Sequence, residues 1–324
     1  NTPPAPARAG PNNTGPRGGN SNAQVVNCVF LNNTATSFGG AAINDGGSGG
    51  TNDSRFTNCV FLNNAAPTGS GGAVYNFGGA GSSTPQLINC GFQGNIAGNG
   101  GAMYNDGSNA GVSNPQLTNC SFQSNSAANG GGLYNNGMGA GTSSPQLTNC
   151  LFFGNGGANT FVNNMAGGVS ASYSFFDAAV TGYSSGPGNL TATLSPFVSA
   201  TSVQLRNGSP AVNAGDPATT SATVGNTDLT GNPRFFANGG TPAGRIDMGA
   251  YELQEMPEIF TLKNGTWNDP NVWSVERLPQ LNERVRLKHL VTIPASFLAL
   301  SGILIFDPAS KLIYTTGGRL QLGQ

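Results

Sequence analysis

Acidic residues in the C-terminal half carry the clearest potential for chemistry in this sequence. The carboxylates are Asp216, Asp228, Asp247 and Glu252, and two cationic residues, Arg234 and Arg245, lie among them. Grouped carboxylates can coordinate Ca²⁺, and a pair of them can act as general acid and base. The same residues can instead form a hydrogen-bonded, ion-paired layer that closes the end of a repeat structure. We expect the structural role and retain Ca²⁺ as the one candidate cofactor.

Cysteine is the second residue type that can carry chemistry, through disulfides or metal binding. The cysteines recur every 30 or 31 residues, each in the phrase Asn-Cys-x-Phe: Cys28, Cys59, Cys90, Cys120 and Cys150. Equivalent residues on stacked turns lie about 4.8 Å apart, and parallel side chains in one row rarely reach the disulfide torsion. The spacing therefore predicts an internal column of free thiols that behave as small hydrophobic side chains.

The remaining candidate side chains are isolated. Asp45 and Asp106 occupy the same repeat position two turns apart, roughly 10 Å, which is loose for a catalytic carboxylate pair, and we expect solvated turn residues. His289 is the only histidine, which favours a structural or surface role. Trp267 and Trp273 can form a sugar-stacking platform or the core of a small β-module, and we expect the core.

The repeat between about residues 25 and 155 defines the elements that position these groups. One unit spans residues 115–125 and continues at residues 130–135, with Gly, Asn and Pro at every bend and no 3.6-residue period. Leu117, Cys120, Phe122 and Leu133 face inward by alternation, and Asn119 forms a bend because asparagine tolerates the left-handed conformation. The pattern predicts an all-β chain: a right-handed parallel β-helix with about 30 residues per turn, followed by a small C-terminal β-module.

Further columns follow from the register of the repeat. Stacked amides can hydrogen-bond along a column and fix the register without charge. The predicted columns are Phe30, Phe61, Phe92, Phe122 and Phe152; Asn33, Asn64, Asn95, Asn125 and Asn155; and Asn44, Asn76, Asn105 and Asn135.

The composition divides the chain into four segments. Residues 1–24 are rich in Pro, Gly and Asn and predict an arm or a degenerate first turn; residues 25–160 hold the regular repeats; residues 161–255 hold irregular turns and the terminal layer; and residues 256–324 form the C-terminal β-module. Because the chain begins at Asn1 without a signal-peptide pattern, we expect a processed or truncated piece.

Charged residues make up only 8% and the net charge is −1, which argues against nucleic acid and anionic membranes as partners. No apolar run approaches the roughly 18 residues of a membrane span.

The motifs resemble those of known surface proteins. The Asn-Cys-x-Phe-x-x-Asn and Gly-Gly-x-x-Tyr-Asn units resemble bacterial right-handed β-helix surface proteins, including the polymorphic outer-membrane type. The segments at residues 209–216, 228–234 and 245–252 are similar to the end of exported, Bacteroidetes-like β-helix proteins that carry a "choice-of-anchor" region. Residues 260–324 also resemble a C-terminal module of such proteins. The resemblance implies a β-helix, export, and an extracellular or cell-surface location in a bacterium.

These observations favour a non-enzymatic structural protein of the cell surface. It would be a stalk or adhesin that contacts surface glycans, or a filament subunit that pairs with itself end to end or by exchange of a terminal segment. The alternative is a carbohydrate-active enzyme, a polysaccharide lyase or glycoside hydrolase, with its site in the C-terminal half. Ice binding ranks last, because the column two residues before the cysteines is mixed: Val26, Thr57, Ile88, Thr118 and Thr148.

Overall fold

The computed structural model describes residues 12–14, 19–236, 245–254, 258–280 and 283–322. It is a nearly all-β chain that forms a parallel β-solenoid of about nine turns with small C-terminal sheets. The predicted fold class is thereby confirmed. The described residues up to Leu253 belong to one compact unit, and those from Gln254 onward belong to a second.

Two seven-stranded parallel sheets run the length of the first unit. The Phe sheet contains the strands Val29–Leu31, Val60–Leu62, Gly91–Gln93, Ser121–Gln123, Leu151–Phe153, Phe175–Asp177 and Leu190–Ala192. The Leu sheet contains Gln24–Val26, Arg55–Thr57, Gln86–Ile88, Gln116–Thr118, Gln146–Thr148, Val169–Ser172 and Tyr183–Ser185. Between the two sheets, each regular turn bends at a left-handed asparagine with φ between 51° and 55°: Asn27, Asn58, Asn89, Asn119 and Asn149. These are the bends that the sequence predicted.

Three further parallel sheets, of six, four and three strands, form the other sides of the turns. The Tyr sheet contains Asn12–Thr14, Ala42–Asp45, Val74–Phe77, Met103–Asp106, Leu133–Gly137 and Phe161–Met165; the Ser sheet contains Asn20–Ser21, Thr51–Asn52, Ser82–Ser83 and Val112–Ser113; the corner sheet contains Ala65–Ser70, Ile96–Asn99 and Ser126–Asn129. Asn12–Thr14 pairs with Ala42–Asp45, and Asn20–Ser21 pairs with Thr51–Asn52. These parts of the predicted arm therefore belong to a first turn, whereas residues 1–11 and 15–18 lie outside the described residues.

The inward-facing residues form one continuous apolar column along the solenoid. The rings of Phe61, Phe92 and Phe122 are fully buried, and successive rings stack with centroids 4.6 and 4.5 Å apart. Burying one such side chain contributes about 1.5–3 kcal/mol. Because every turn repeats the same burial, the regular register is the main source of stability in this unit.

After Asn155 the turns become irregular, and the chain then folds back. A 3₁₀ turn at Gly157–Asn159 leads into the strands that end at Ala192. The described residues of 197–253 then form what we call the side layer, which contains the antiparallel strands Phe197–Ser199 and Ser202–Leu205 and the short helix Ser221–Val224.

The side layer lies against the outer surface of the Phe sheet, so the expectation that it closes the end of the solenoid was wrong. The main-chain N–H of Ala250 donates to Ser121 Oγ at 2.9 Å, and that of Gly249 donates to the Asn149 carbonyl at 2.7 Å. Leu151 and Phe175 point outward from the Phe sheet and pack with apolar residues of the layer. An apolar outer surface on these turns favours lateral cover over an end position.

The second unit consists of parallel sheets as well. Its strands are Glu258–Phe260, Arg284–Leu287 and Ile303–Phe306 in one sheet; Gly265–Thr266, Leu290–Ile293 and Lys311–Tyr314 in another; and Leu298–Ser301 and Arg319–Leu322 in a third. A 3₁₀ turn spans Pro270–Val272. Because every pairing between these strands is parallel, the module is itself a short three-sided solenoid.

Candidate functional site

The carboxylates singled out from the sequence meet inside the side layer. Asp228 is fully buried, and its Oδ1 accepts hydrogen bonds from Thr230 N at 2.9 Å, Thr230 Oγ1 at 2.8 Å and Asn232 N at 2.9 Å. Its Oδ2 accepts from Glu252 N at 3.0 Å. The carboxylate thus fixes the turn of residues 228–232 and joins it to the main chain at Glu252.

Asp247 and Glu252 continue the same network. Asp247 Oδ1 accepts from Asn213 N at 2.6 Å, and its Oδ2 accepts from Leu253 N at 2.7 Å. Glu252 Oε2 accepts from Asp247 N at 3.0 Å. Arg234 is fully buried beside them and donates to the carbonyls of Asp247 and Gly249, while its Nε lies 3.8 Å from Glu252 Oε2. The guanidinium therefore joins two main-chain carbonyls and places a positive charge beside the acidic side chains of the layer.

Burial governs the protonation of this group. It raises the pKa of Glu252 to about 9, with the nearby Asp247 adding to the shift and Arg234 opposing it. Burial also raises the pKa of Asp247, although hydrogen bonds from the main chain of Leu253 and Asn213 and the charge of Arg234 oppose the rise. Removal from water lowers the pKa of Arg234. Glu252 is therefore mostly protonated at neutral pH, which limits the negative charge that Arg234 must balance.

The structure does not bring all the candidate residues together. Asp216 Oδ1 accepts from Ala218 N at 2.9 Å, and Asp216 N donates to Asn149 Oδ1 at 2.7 Å. Arg245 Nε donates to the Gly215 carbonyl at 2.7 Å. Within the described part of the chain, no group of three or more His, Cys, Asp and Glu side chains is arranged to hold a metal ion. The carboxylate oxygens of the cluster point at N–H donors, so the cluster holds segments of the side layer together.

The other polar candidates also have local structural partners. Asp45 Oδ1 and Asp106 Oδ1 accept from the main-chain N–H two residues later, as expected of turn residues. Asp106 is not solvated, however, because it is 9% exposed and its Oδ2 accepts the hydroxyl of Tyr75 at 2.9 Å. Stacked tyrosines on the outer surface of the Tyr sheet cover this carboxylate, an arrangement that composition alone does not reveal.

The aromatic and imidazole candidates of the second unit are structural. Trp267 and Trp273 are fully buried with ring centroids 4.8 Å apart, so they belong to the core and offer no sugar-stacking platform. Trp273 Nε1 donates to the Trp267 carbonyl at 3.0 Å. His289 Nδ1 lies 2.9 Å from the carbonyl oxygen of Thr261, to which it donates, and this contact holds the ring against the neighbouring turn.

The cysteine and asparagine columns are internal scaffolding. All five cysteines are free, and burial raises the pKa of Cys120 well above its ordinary value, which keeps that thiol protonated. Asn95 Oδ1 accepts from the N and Nδ2 of Asn64, and Asn95 Nδ2 donates to Asn125 Oδ1 at 2.8 Å. The left-handed bend lies one residue before this asparagine column, at Asn32, Asn63, Gly94, Ser124 and Gly154.

A shallow groove lies on the outer surface of the Leu sheet, and the sequence did not predict it. It has a volume of about 340 Å³ and is lined by Gln146, Leu147, Thr148, Ser170, Ala171, Ser172, Ser184, Ser185 and Gly186. None of these side chains is acidic or basic, so the groove offers hydroxyl and amide groups for contact but no group for acid–base catalysis. The sequence does indicate a polar row on this surface, because glutamine recurs at one position of the repeat, at Gln86, Gln116 and Gln146.

No helix in the described residues is both long and apolar enough to cross a membrane. Comparison with protein-family models, curated proteins and solved structures finds no match. The resemblance of the repeat and of the choice-of-anchor-like segments to surface proteins therefore stays a prediction.

Proposed function

We propose that this chain is a non-enzymatic, extracellular structural protein of a bacterial surface, a β-solenoid stalk or adhesin. The single observation that carries the proposal is that the carboxylates of the side layer are buried and hydrogen-bonded to the main chain. Asp228, Asp247 and Glu252 are 0%, 0% and 3% exposed and accept hydrogen bonds from the main chain of the side layer. The two carboxyl groups of a glycoside-cleaving enzyme must instead flank the scissile bond of the substrate and be accessible to it.

The outer surface of the solenoid supports the same function. Between residues 19 and 155 the charged residues are Asp45, Asp53, Arg55 and the buried Asp106. The groove on the Leu sheet presents uncharged hydroxyl and amide groups, which suit weak contacts with neutral surface glycans. The resemblance of the repeats to exported β-helix proteins favours a location outside the cell.

A panel of acidic and neutral polysaccharides tests the proposal against the enzyme alternative. We expect the full chain to release no product from any of them. Product that disappears in Asp247→Asn but persists in Asp53→Asn, a change of an exposed carboxylate, would establish catalysis in the side layer and overturn the proposal. Labelling of intact cells with a membrane-impermeant reagent tests the location, and protection of the protein from the reagent would contradict it.

A further inference from the structure

Tyrosines form a row on the outer surface of the Tyr sheet. Tyr75, Tyr104 and Tyr134 occupy the same register on three consecutive turns. The rings of Tyr104 and Tyr134 stack with centroids 4.8 Å apart and planes 6° apart, which matches the spacing of about 4.8 Å between neighbouring strands. Because the ring repeats from one turn to the next almost without rotation, equivalent atoms of the two phenols lie about as far apart as the centroids.

The strands beneath this pair hold the rings in place. Met103 and Asn105, on either side of Tyr104, are fully buried and pair in register with their equivalents on the next turn. Asn105 Nδ2 also donates to Asn135 Oδ1 at 2.8 Å, so the amide column fixes the register of the two strands. Two groups that a fold holds together react at an effective concentration far above that of groups on separate molecules.

Access from solvent distinguishes this pair from the third tyrosine. Tyr104 and Tyr134 are partly exposed, whereas Tyr75 is buried, donates its hydroxyl to Asp106 and lies 5.3 Å and 21° from the ring of Tyr104. An oxidant in solution therefore reaches Tyr104 and Tyr134 more readily than Tyr75. Burial and the charge of Asp106 raise the pKa of Tyr104, so its phenol is neutral at neutral pH and releases a proton when it loses an electron.

We propose that Tyr104 and Tyr134 are a modification site at which oxidation joins two consecutive turns through a dityrosine bond. The oxidant is hydrogen peroxide acting through a peroxidase. Each phenol loses one electron to the oxidant and its O–H proton to solvent, which leaves two phenoxyl radicals. A carbon–carbon bond then forms between the carbons ortho to the two oxygens.

The reaction is complete when both rings are aromatic again. The hydrogen on each newly bonded ortho carbon moves to the phenol oxygen of the same ring, which restores both hydroxyl groups. Overall, one hydrogen peroxide molecule accepts two electrons and two protons and yields two water molecules. The bond closes a covalent loop between Tyr104 and Tyr134, which restricts the unfolded chain in the way that a disulfide does.

Treatment of the full chain with peroxidase and hydrogen peroxide in dilute solution tests the proposal. We expect the monomer to gain dityrosine fluorescence, and we expect mass spectrometry of a proteolytic digest to show the peptides of Tyr104 and Tyr134 joined with the loss of two hydrogen atoms. Tyr134→Phe keeps a stacked ring but removes one phenol, and we expect it to lower the dityrosine yield of the monomer at least about 10-fold.

Tyr314→Phe is the matched control. Tyr314 is 50% exposed and belongs to the second unit, so its loss should leave the dityrosine yield of the monomer unchanged. Circular dichroism verifies that both variants are folded.

Several results would overturn the proposal. They are a folded monomer that forms no dityrosine, a main product that joins another pair of tyrosines, coupling only between separate chains, and an unchanged yield in Tyr134→Phe. Equally efficient coupling of the same two residues in the urea-unfolded chain would also overturn it, because the stacked geometry is then absent. None of these results bears on the polysaccharide panel, so the proposed function stands or fails separately.

Discussion

At the scale of single residues, the side layer shows how carboxylates can serve a fold instead of a reaction. The oxygens of Asp228 and Asp247 accept from main-chain N–H groups at 2.6–3.0 Å, and Arg234 satisfies two carbonyls nearby. These contacts join segments separated by 24 and 34 residues in sequence. A buried group of this kind is stable only when its charge is matched, which makes its protonation a determinant of stability.

The raised pKa of Glu252 predicts a pH dependence of stability. The unfolded side chain releases its proton near its ordinary pKa of 4.5, whereas the folded one holds it up to about 9. Between these values the folded state binds more protons than the unfolded state, so stability declines as pH rises, by up to about 1.4 kcal/mol per pH unit. Glu252→Gln keeps an acceptor for Asp247 N–H and removes the titration.

Urea denaturation between pH 5 and pH 9 measures this effect. We expect the free energy of unfolding of the unaltered chain to decrease across the range and that of Glu252→Gln to decrease less steeply. Glu276→Gln changes a glutamate outside the cluster and provides the control, whose profile should follow that of the unaltered chain. Parallel profiles for Glu252→Gln and the unaltered chain would show that Glu252 does not hold its proton.

At the scale of elements, the sequence predicts the repeated turns of the solenoid but not the position of the side layer, which has no repeat. The period of Cys90, Cys120 and Cys150 and the alternation around Phe122 were sufficient to place the Phe sheet and its core, because each turn makes the same contacts with its neighbours. The side layer could not be placed in this way. Its contacts join residues as far apart as Ser121 and Ala250, and they depend on outward-facing side chains that differ from turn to turn. A local indication that this surface is covered was Leu151, a large apolar residue on the outer surface of the Phe sheet.

Close approach of the side layer to the Phe sheet depends on Gly249. Its φ is +92°, and a Cβ at this position would lie 2.4 Å from Leu151 Cδ1 and 2.6 Å from Ser121 Oγ. Gly231 has a similar φ of +88° but nothing within 4 Å. We predict that Gly249→Ala lowers the free energy of unfolding by about 2–5 kcal/mol, because it adds steric overlap to backbone strain, whereas Gly231→Ala costs about 1–2 kcal/mol.

Chemical denaturation of the two glycine variants gives the comparison directly. Hydrogen exchange should locate the added loss in Gly249→Ala, with faster exchange of the side layer than of the Phe column in the solenoid. Equal losses in the two variants would mean that backbone conformation alone accounts for the effect and that the close approach contributes nothing.

At the scale of the whole first unit, the side layer fixes the number of turns beneath it. Asn89 Nδ2 donates to the Val224 carbonyl at 2.9 Å, and Asn149 Nδ2 donates to Thr219 Oγ1 at 3.0 Å. These asparagines occupy the same bend two turns apart, so the layer spans a distance of roughly 10 Å along the solenoid. A solenoid without such a brace tolerates the loss of a repeat, because each turn contacts only its neighbours.

Deletion of one turn therefore has an effect that depends on its position. Removal of residues 28–58 joins Asn27 to Cys59, restores every column, and leaves the contacts of Asn89 and Asn149 with the side layer in place. Removal of residues 90–119 joins Asn89 to Cys120 and restores the columns equally well, but it brings those two anchors about 4.8 Å closer together.

We expect the first deletion to yield a folded chain with one cooperative transition. We expect the second to leave a folded solenoid from which the side layer is released, seen as a separate early transition and as protease cleavage within residues 197–236. A single transition with an intact, protease-resistant side layer in both deletions would contradict this bracing role.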